Sequence, residues 1–155
     1  MPNIAYLNGR FLPLEEAKVS IQDRGFQFGD GVYEVIRVYH GTTFRFADHL
    51  KRLEYSARAI SISVPFSSQQ WESIIAEGVR LSTYLDCKIY IQLTRGIAPR
   101  EHVSPDSISP TVIMTIQEIV TLETYVKGQG VCALTLPDLR WGRCSIKSLN
   151  LLPNL

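Results

Sequence analysis

An α+β fold, with strands in the majority and helices grouped between them, follows from three features of this 155-residue sequence. An Asn-Gly pair sits between short apolar runs near the start, several segments alternate apolar and other residues with a period of two, and two stretches repeat apolar residues at helical spacing. Regular strand-helix alternation, the mark of a parallel βαβ sheet, is not the pattern.

Tyr6-Leu7-Asn8-Gly9-Arg10-Phe11-Leu12 predicts a tight hairpin, because Asn-Gly accommodates the positive φ angles that such turns demand. From Val32 to Tyr39 the alternation places Val32, Glu34, Ile36 and Val38 on one side of a strand and Tyr33, Val35, Arg37 and Tyr39 on the other. His40-Gly41 then turns the chain into Thr42–Phe46. Asp48 is read as the cap of a helix beginning near His49, with Leu50, Leu53, Ala57 and Ile60 as its apolar stripe. Lys51, Arg52 and Arg58 lie off that stripe. A second helix starts at Ser67, three residues before Gln70 as in a capping box, and buries Trp71, Ile74, Ile75 and Val79. Cys87–Arg95 reads as a strand with Ile89, Ile91 and Leu93 on one face, and Thr111–Val120 as another. Between them Gly96–Pro110, holding Pro99, Pro105 and Pro110, reads as an exposed loop.

The pattern weakens over Leu122–Gly130, where Lys127-Gly128-Gln129-Gly130 suggests a connector before a further strand at Val131–Leu136. The expected organisation is a small α+β domain over residues 1–121, followed by a linker and the truncated first part of a larger domain over 122–155. The roughly 25 residues after the connector are too few to bury a core of their own.

Composition narrows the function classes. With 45% hydrophobic and 20% charged residues the chain buries a core, which sets aside disorder and low complexity. A net charge of +1 supplies no field for holding nucleic acid, so an anionic ligand must be caught locally. No apolar run approaches the ~20 residues that span a bilayer, and Met1–Ala5 is not a basic segment followed by an apolar one, so a cytoplasmic location is expected. Cys87, Cys132 and Cys144 are odd in number and widely spaced, which favours reduced thiols over zinc or redox chemistry.

Four features could carry chemistry. Lys147 lies in Arg143-Cys144-Ser145-Ile146-Lys147-Ser148-Leu149-Asn150. There it either snorkels to water or is a partly dry amine of lowered pKa, able to form a Schiff base with a carbonyl compound. Arg100 and His102, one residue apart in the proline-bounded loop, suit the grip of a carboxylate and equally suit a solvated surface. Tyr33 is ordinary strand material unless a site adjoins it, and Arg52 is an ordinary helix-flank cation that can also bind phosphate. Gly25, Gly29 and Gly31 allow turns, without the spacing of a dinucleotide or P-loop fingerprint.

Taken in order, Ser20-Ile21-Gln22-Asp23-Arg24-Gly25-Phe26-Gln27-Phe28-Gly29-Asp30-Gly31-Val32-Tyr33-Glu34-Val35, His49-Leu50-Lys51-Arg52-Leu53, Thr94-Arg95-Gly96 and Ile146-Lys147-Ser148-Leu149-Asn150 resemble class IV aminotransferases, the pyridoxal-phosphate enzymes of fold type IV. The similarity is greatest to the branch acting on D-amino acids. It implies that Lys147 holds pyridoxal 5'-phosphate as a Schiff base and shuttles a proton, and that Arg52 binds the cofactor phosphate. Tyr33, Arg100 and His102 would trap the substrate carboxylate, with the loop reaching across a homodimer. The implied reaction is transfer of an amino group from a D-amino acid such as D-alanine to a 2-oxo acid such as 2-oxoglutarate. The resemblance also admits an aminodeoxychorismate lyase, a branched-chain L-amino-acid aminotransferase, or a dimerising fragment without activity. In such enzymes the rest of the cofactor pocket follows the lysine motif, and this sequence ends eight residues after Lys147. The expectation is therefore a fragment of an active enzyme that, alone, holds the cofactor poorly.

Overall fold

The computed structural model describes residues 3–119, 128, 130, 132–138 and 142–152. Its centre is one antiparallel sheet. The Asn-Gly hairpin forms as expected, joining β1 (Ile4–Leu7) to β2 (Arg10–Pro13) through Asn8 and Gly9, both at positive φ. A short helix α1 (Arg24–Phe28) leads into the long strand β3 (Gly31–Tyr39), which turns back through β4 (Thr42–Thr43). Helices α2 (Phe46–Ala59) and α3 (Ser68–Ser82) follow, then β5 (Cys87–Thr94) and β6 (Thr111–Glu118). The spatial order is β2-β1-β6-β5-β3-β4.

Register is set by the apolar alternation, because a one-residue slip would turn every side chain to the wrong face. Val32 pairs with Leu93, Ile36 with Ile89, and Ile89 in turn with Ile116. These residues, with Leu50, Leu53 and Ala57 of α2 and Trp71 and Ile75 of α3, form one buried cluster. The core therefore lies between the sheet and its two helices, and the alternate residues of β3, Tyr33 among them, face away from it. The Ser67 capping box is present: Gln70 N donates to Ser67 Oγ at 3.3 Å, and Ser67 N donates to Gln70 Oε1 at 2.8 Å.

Several boundaries differ from expectation. Helix α2 starts at Phe46, after Arg45 in a left-handed conformation (φ 50°), so Asp48 lies in its first turn and is not the cap. Phe46 packs on the core, which favours helix from that point, while Asp48 accepts a 2.6 Å hydrogen bond from Arg45 Nε and still suits the positive helix end. Arg95 leaves β5 because its guanidinium is drawn to Asp30 and to the carbonyls of Ile60 and Ser61. Helix α1 occupies a stretch where only glycine turns were expected; Asp23 caps it, accepting from Gly25 N at 2.8 Å, and Gly29 closes it at φ 66°. Residues 132–136 form no strand, and Leu134 and Leu136 are exposed, since among the described residues no sheet edge pairs with their backbone. Val131, and the expected division at 121/122, lie outside the described residues.

Candidate active site

The sheet ends on the outer edge of β3, and two different segments cover that edge. At its far end β4 pairs with Val38 and Tyr39. At its near end the chain returns, after more than a hundred residues, to lay Lys147–Leu149 along Gly31–Tyr33. Tyr33 N donates to Lys147 O at 3.0 Å, Leu149 N donates to Gly31 O at 3.0 Å, and Val32 and Ser148 form an antiparallel bridge. Lys147 N donates to the buried Ser56 hydroxyl at 3.1 Å, and Asn150 Nδ2 donates to Gly29 O at 3.2 Å. Gly31 permits this crossing: a Cβ there would fall 2.7 Å from Leu93 O and 2.8 Å from Leu149 Cδ1.

With its main chain held, Lys147 directs its amine onto the ring of Tyr33, Nζ lying 3.9 Å from the centroid. That separation suits attraction between an amine and the negative ring face. Lys147 is half-buried, so the free snorkelling reading gives way to an amine lodged against an aromatic wall. Tyr90 extends the wall, its ring 5.7 Å from that of Tyr33, and its hydroxyl donates to Gln92 Oε1 at 2.7 Å. Burial, with the Tyr33 phenol nearby, pushes the Tyr90 phenol up.

Beneath Tyr33, on the core side of β3, Glu34 is 1% exposed and fully engaged. Its two oxygens accept from Arg52 Nε and Nη2, at 2.5 and 2.7 Å, and Oε2 also meets His49 Nδ1 at 2.8 Å. Burial works against the ionised carboxylate, but the hydrogen bonds from Arg52 and His49 outweigh it and hold Glu34 below the usual carboxylate range. Its own hydrogen bonds to Glu34 push the Arg52 guanidinium up. Arg52 and His49 come from one face of α2, three residues apart. The Arg52 side chain remains 49% exposed, and its Nη1 edge has no partner among the described residues. It is thus a charged fork fixed on one side and open on the other, the arrangement suited to an anionic group.

Arg100 and His102 gather elsewhere, around α1. The Arg100 guanidinium lies 4.9 Å from the centre of the Phe28 ring, and the His102 ring lies 6.1 Å from it, edge to face. Their described contacts are with Phe28 and Arg24. The structure therefore brings Lys147, Tyr33 and the Arg52–Glu34 pair to the start of β3, and holds Arg100 and His102 together as a second group on the exposed loop.

The donor types suit a group carrying both an aldehyde and a phosphate, since Lys147 offers an amine and Arg52 an open guanidinium. Sequence reasoning missed Glu34, His49 and Ser56 as the residues that orient these two. One signal was present: Glu34 is a carboxylate on the apolar side of an otherwise hydrophobic alternation, a position that requires a partner.

The chain is similar to known proteins in sequence and in fold. The family described as Amino-transferase class IV matches residues 31–155. The D-alanine aminotransferase of Bacillus licheniformis is 45% identical over 148 residues, covering 96% of this chain and 52% of the relative. The chain thus spans about half the length of the curated relatives it matches. Among solved structures, a branched-chain amino acid aminotransferase complexed with N-(5'-phosphopyridoxyl)-L-glutamate superposes with TM-score 0.69 at 29% identity, covering 75% of this chain and 40% of that one. The 4-amino-4-deoxychorismate lyase from Pseudomonas aeruginosa gives 0.66 at 28% identity, covering 82% and 44%.

Proposed function

The chain belongs to the class IV aminotransferases, and from that premise we propose that it is part of a pyridoxal-phosphate enzyme moving the amino group of D-amino acids, such as D-alanine, to a 2-oxo acid such as 2-oxoglutarate. The observation that carries this reading is the placement of the Lys147 amine on the Tyr33 ring, with the Glu34-anchored Arg52 on the other side of the same strand. The name of the D-alanine aminotransferase at 45% identity supports the choice of substrate.

When bound, pyridoxal 5'-phosphate supplies an electrophilic carbonyl and a conjugated ring that takes up the electrons released at the substrate α-carbon. Lys147 and Arg52 would hold it, the first through its amine and the second through hydrogen bonds to the phosphate. Once the substrate amine has displaced it from the cofactor, the freed Lys147 Nζ would accept the proton from the substrate α-carbon and later release it. Its backbone hydrogen bonds to Tyr33 and Ser56 keep that nitrogen on one side of the cleft. Tyr33, Arg100 and His102 bind the substrate carboxylate, and fixing the carboxylate decides which α-hydrogen faces Lys147. Selection of the D-enantiomer follows from that single constraint. A cytoplasmic homodimer, with the Arg100–His102 loop serving the neighbouring subunit, belongs to the same reading; among the described residues no helix is long and apolar enough to cross a membrane.

The test is an assay of the full-length protein with D- or L-alanine and 2-oxoglutarate, following pyruvate. Turnover of the D-form alone, abolished in Lys147→Ala while the melting temperature stays near that of the parent, is the expected result. Turnover of branched-chain L-amino acids, or pyruvate release from aminodeoxychorismate without an amino acceptor, would replace this reading with one of the related activities.

A further inference from the structure

The mechanism leaves unused a set of residues that the sequence places together: Asp23, Arg24 and Asp30 around α1, with Thr94-Arg95-Gly96 at the end of β5. In the structure they form one buried polar knot. Arg24 is only 5% exposed, and its guanidinium is spent on three acceptors. Nε donates to Asp30 Oδ2 at 2.9 Å, Nη1 donates to the Glu101 carbonyl at 2.7 Å, and Nη2 donates to the His102 carbonyl at 3.3 Å. Its Cζ also lies 4.8 Å from the centre of the Phe28 ring, the ring that Arg100 and His102 approach.

The surroundings keep Arg24 from moving. Its own N–H donates to Gly96 O at 2.8 Å. Asp30, its carboxylate partner, is gripped a second time by Arg95 through Nε and Nη2, at 2.8 and 3.0 Å, and Arg95 is tied to the end of α2 through Ile60 O and Ser61 O. Burial opposes the charge on Asp30, but the Arg95 and Arg24 hydrogen bonds hold its carboxyl below the usual range, so both arginines face an anion. The start of the loop is tied through the Asp23–Ile97 bridge and the Ala98 N–H donating to Gln22 O at 3.2 Å, and the hold weakens beyond Pro99. Among the described residues, Arg24 makes the only side-chain hydrogen bonds from the body of the protein to residues 100–102; Glu101 N otherwise turns inward to Pro99 O at 2.8 Å.

We propose that Arg24 is a positioning residue for substrate recognition: by clamping the Glu101 and His102 carbonyls and sharing the Phe28 ring, it fixes the backbone from which Arg100 and His102 are presented to the substrate carboxylate. The inference rests on the carboxylate role given above to Arg100 and His102. A lysine could keep the charge but not the fork, because one ammonium cannot reproduce three fixed N–H directions.

The experiment uses the full-length enzyme and four variants: Arg24→Lys, Arg24→Gln, Phe28→Leu and Arg100→Ala. For both Arg24 variants the KM for D-alanine and the inhibition constant of acetate, a bare carboxylate, are expected to rise together by about tenfold, with kcat within threefold of the parent and the cofactor absorbance band unchanged. Arg24→Lys should not rescue. Trypsin cleavage after Arg100 should quicken in the same variants. If Arg100→Ala raises KM and the Arg24 variants do not, the positioning inference is overturned and the carboxylate reading stands. If Arg100→Ala also leaves KM and acetate inhibition unchanged, the carboxylate reading itself is overturned, and with it this inference. Should the Arg24 variants fail to fold, Phe28→Leu decides at a half-exposed position: a threefold or larger rise in KM at constant kcat supports the clamp, and an unchanged KM refutes it.

Discussion

Glu34→Gln isolates the contribution of a residue that touches neither substrate nor cofactor in the proposed mechanism. The substitution keeps shape and removes charge at a site 1% exposed, where two hydrogen bonds from Arg52 and one from His49 now converge. Hydrogen bonds to charged groups contribute about 1.5–3 kcal/mol each in general, but Arg52 is half exposed and regains hydration when released, so a net loss of about 2 kcal/mol of stability is expected. The functional cost has a separate origin. A freed arginine recovers roughly 1.5 kcal/mol of rotamer entropy, which phosphate binding must then remove, and that corresponds to about a tenfold weaker cofactor. The assay is titration of the cofactor-free full-length variant with pyridoxal 5'-phosphate, followed by absorbance, beside Glu77→Gln as a control. Glu77 pairs with Arg80 through the same type of fork, but on the solvent face of α3, so its loss should leave affinity unchanged. A Glu34→Gln protein whose Kd stays within twofold of the parent would refute the view that Glu34 preorganises Arg52.

Asp30 should make the protein sensitive to acid. Its folded carboxyl is held below the unfolded value near 4, so its contribution is complete above that value and lost as pH falls through the folded pKa; Asp30→Asn should flatten the acid limb of a stability-versus-pH curve measured by thermal melts. Gly96→Ala should be among the most damaging single changes, by about 3 kcal/mol or more, because φ is 117° and a new Cβ would collide with the Ser109 carbonyl oxygen. Soluble yield and melting temperature check it, and a variant that melts within two or three degrees of the parent would show that the turn can relax.

The strands were legible because burial imposes a two-residue rhythm, and each register pair in β3, β5 and β6 follows from it. The second helix was legible for an equally local reason, the reciprocal hydrogen bonds of Ser67 and Gln70. Helix α1 was not: five residues containing a glycine carry too little periodicity to distinguish helix from turn. The start of α2 was misplaced because Asp48 satisfies the charge preference of a helix end wherever in the first turn it falls. Lys147, Arg52 and Tyr33 could be singled out as a set only through family resemblance, since their juxtaposition depends on a crossing between residues more than a hundred positions apart. Arg24 offers no local sign of its burial, which arises wholly from Asp30 and the two loop carbonyls.

Lys147 is secured through its peptide groups on both flanks, by the Tyr33 N–H and the Ser56 hydroxyl, while nothing but a flexible four-carbon stem connects that anchorage to the nitrogen. The tip can therefore swing away from the tyrosine face and come back by bond rotations alone. Exposed side chains rotate in picoseconds to nanoseconds, and Lys147, half-buried against the Tyr33 ring, must also give up that contact to move. Relocation of the lysine is therefore a local event that asks no movement of the strand edge to which its backbone is bonded.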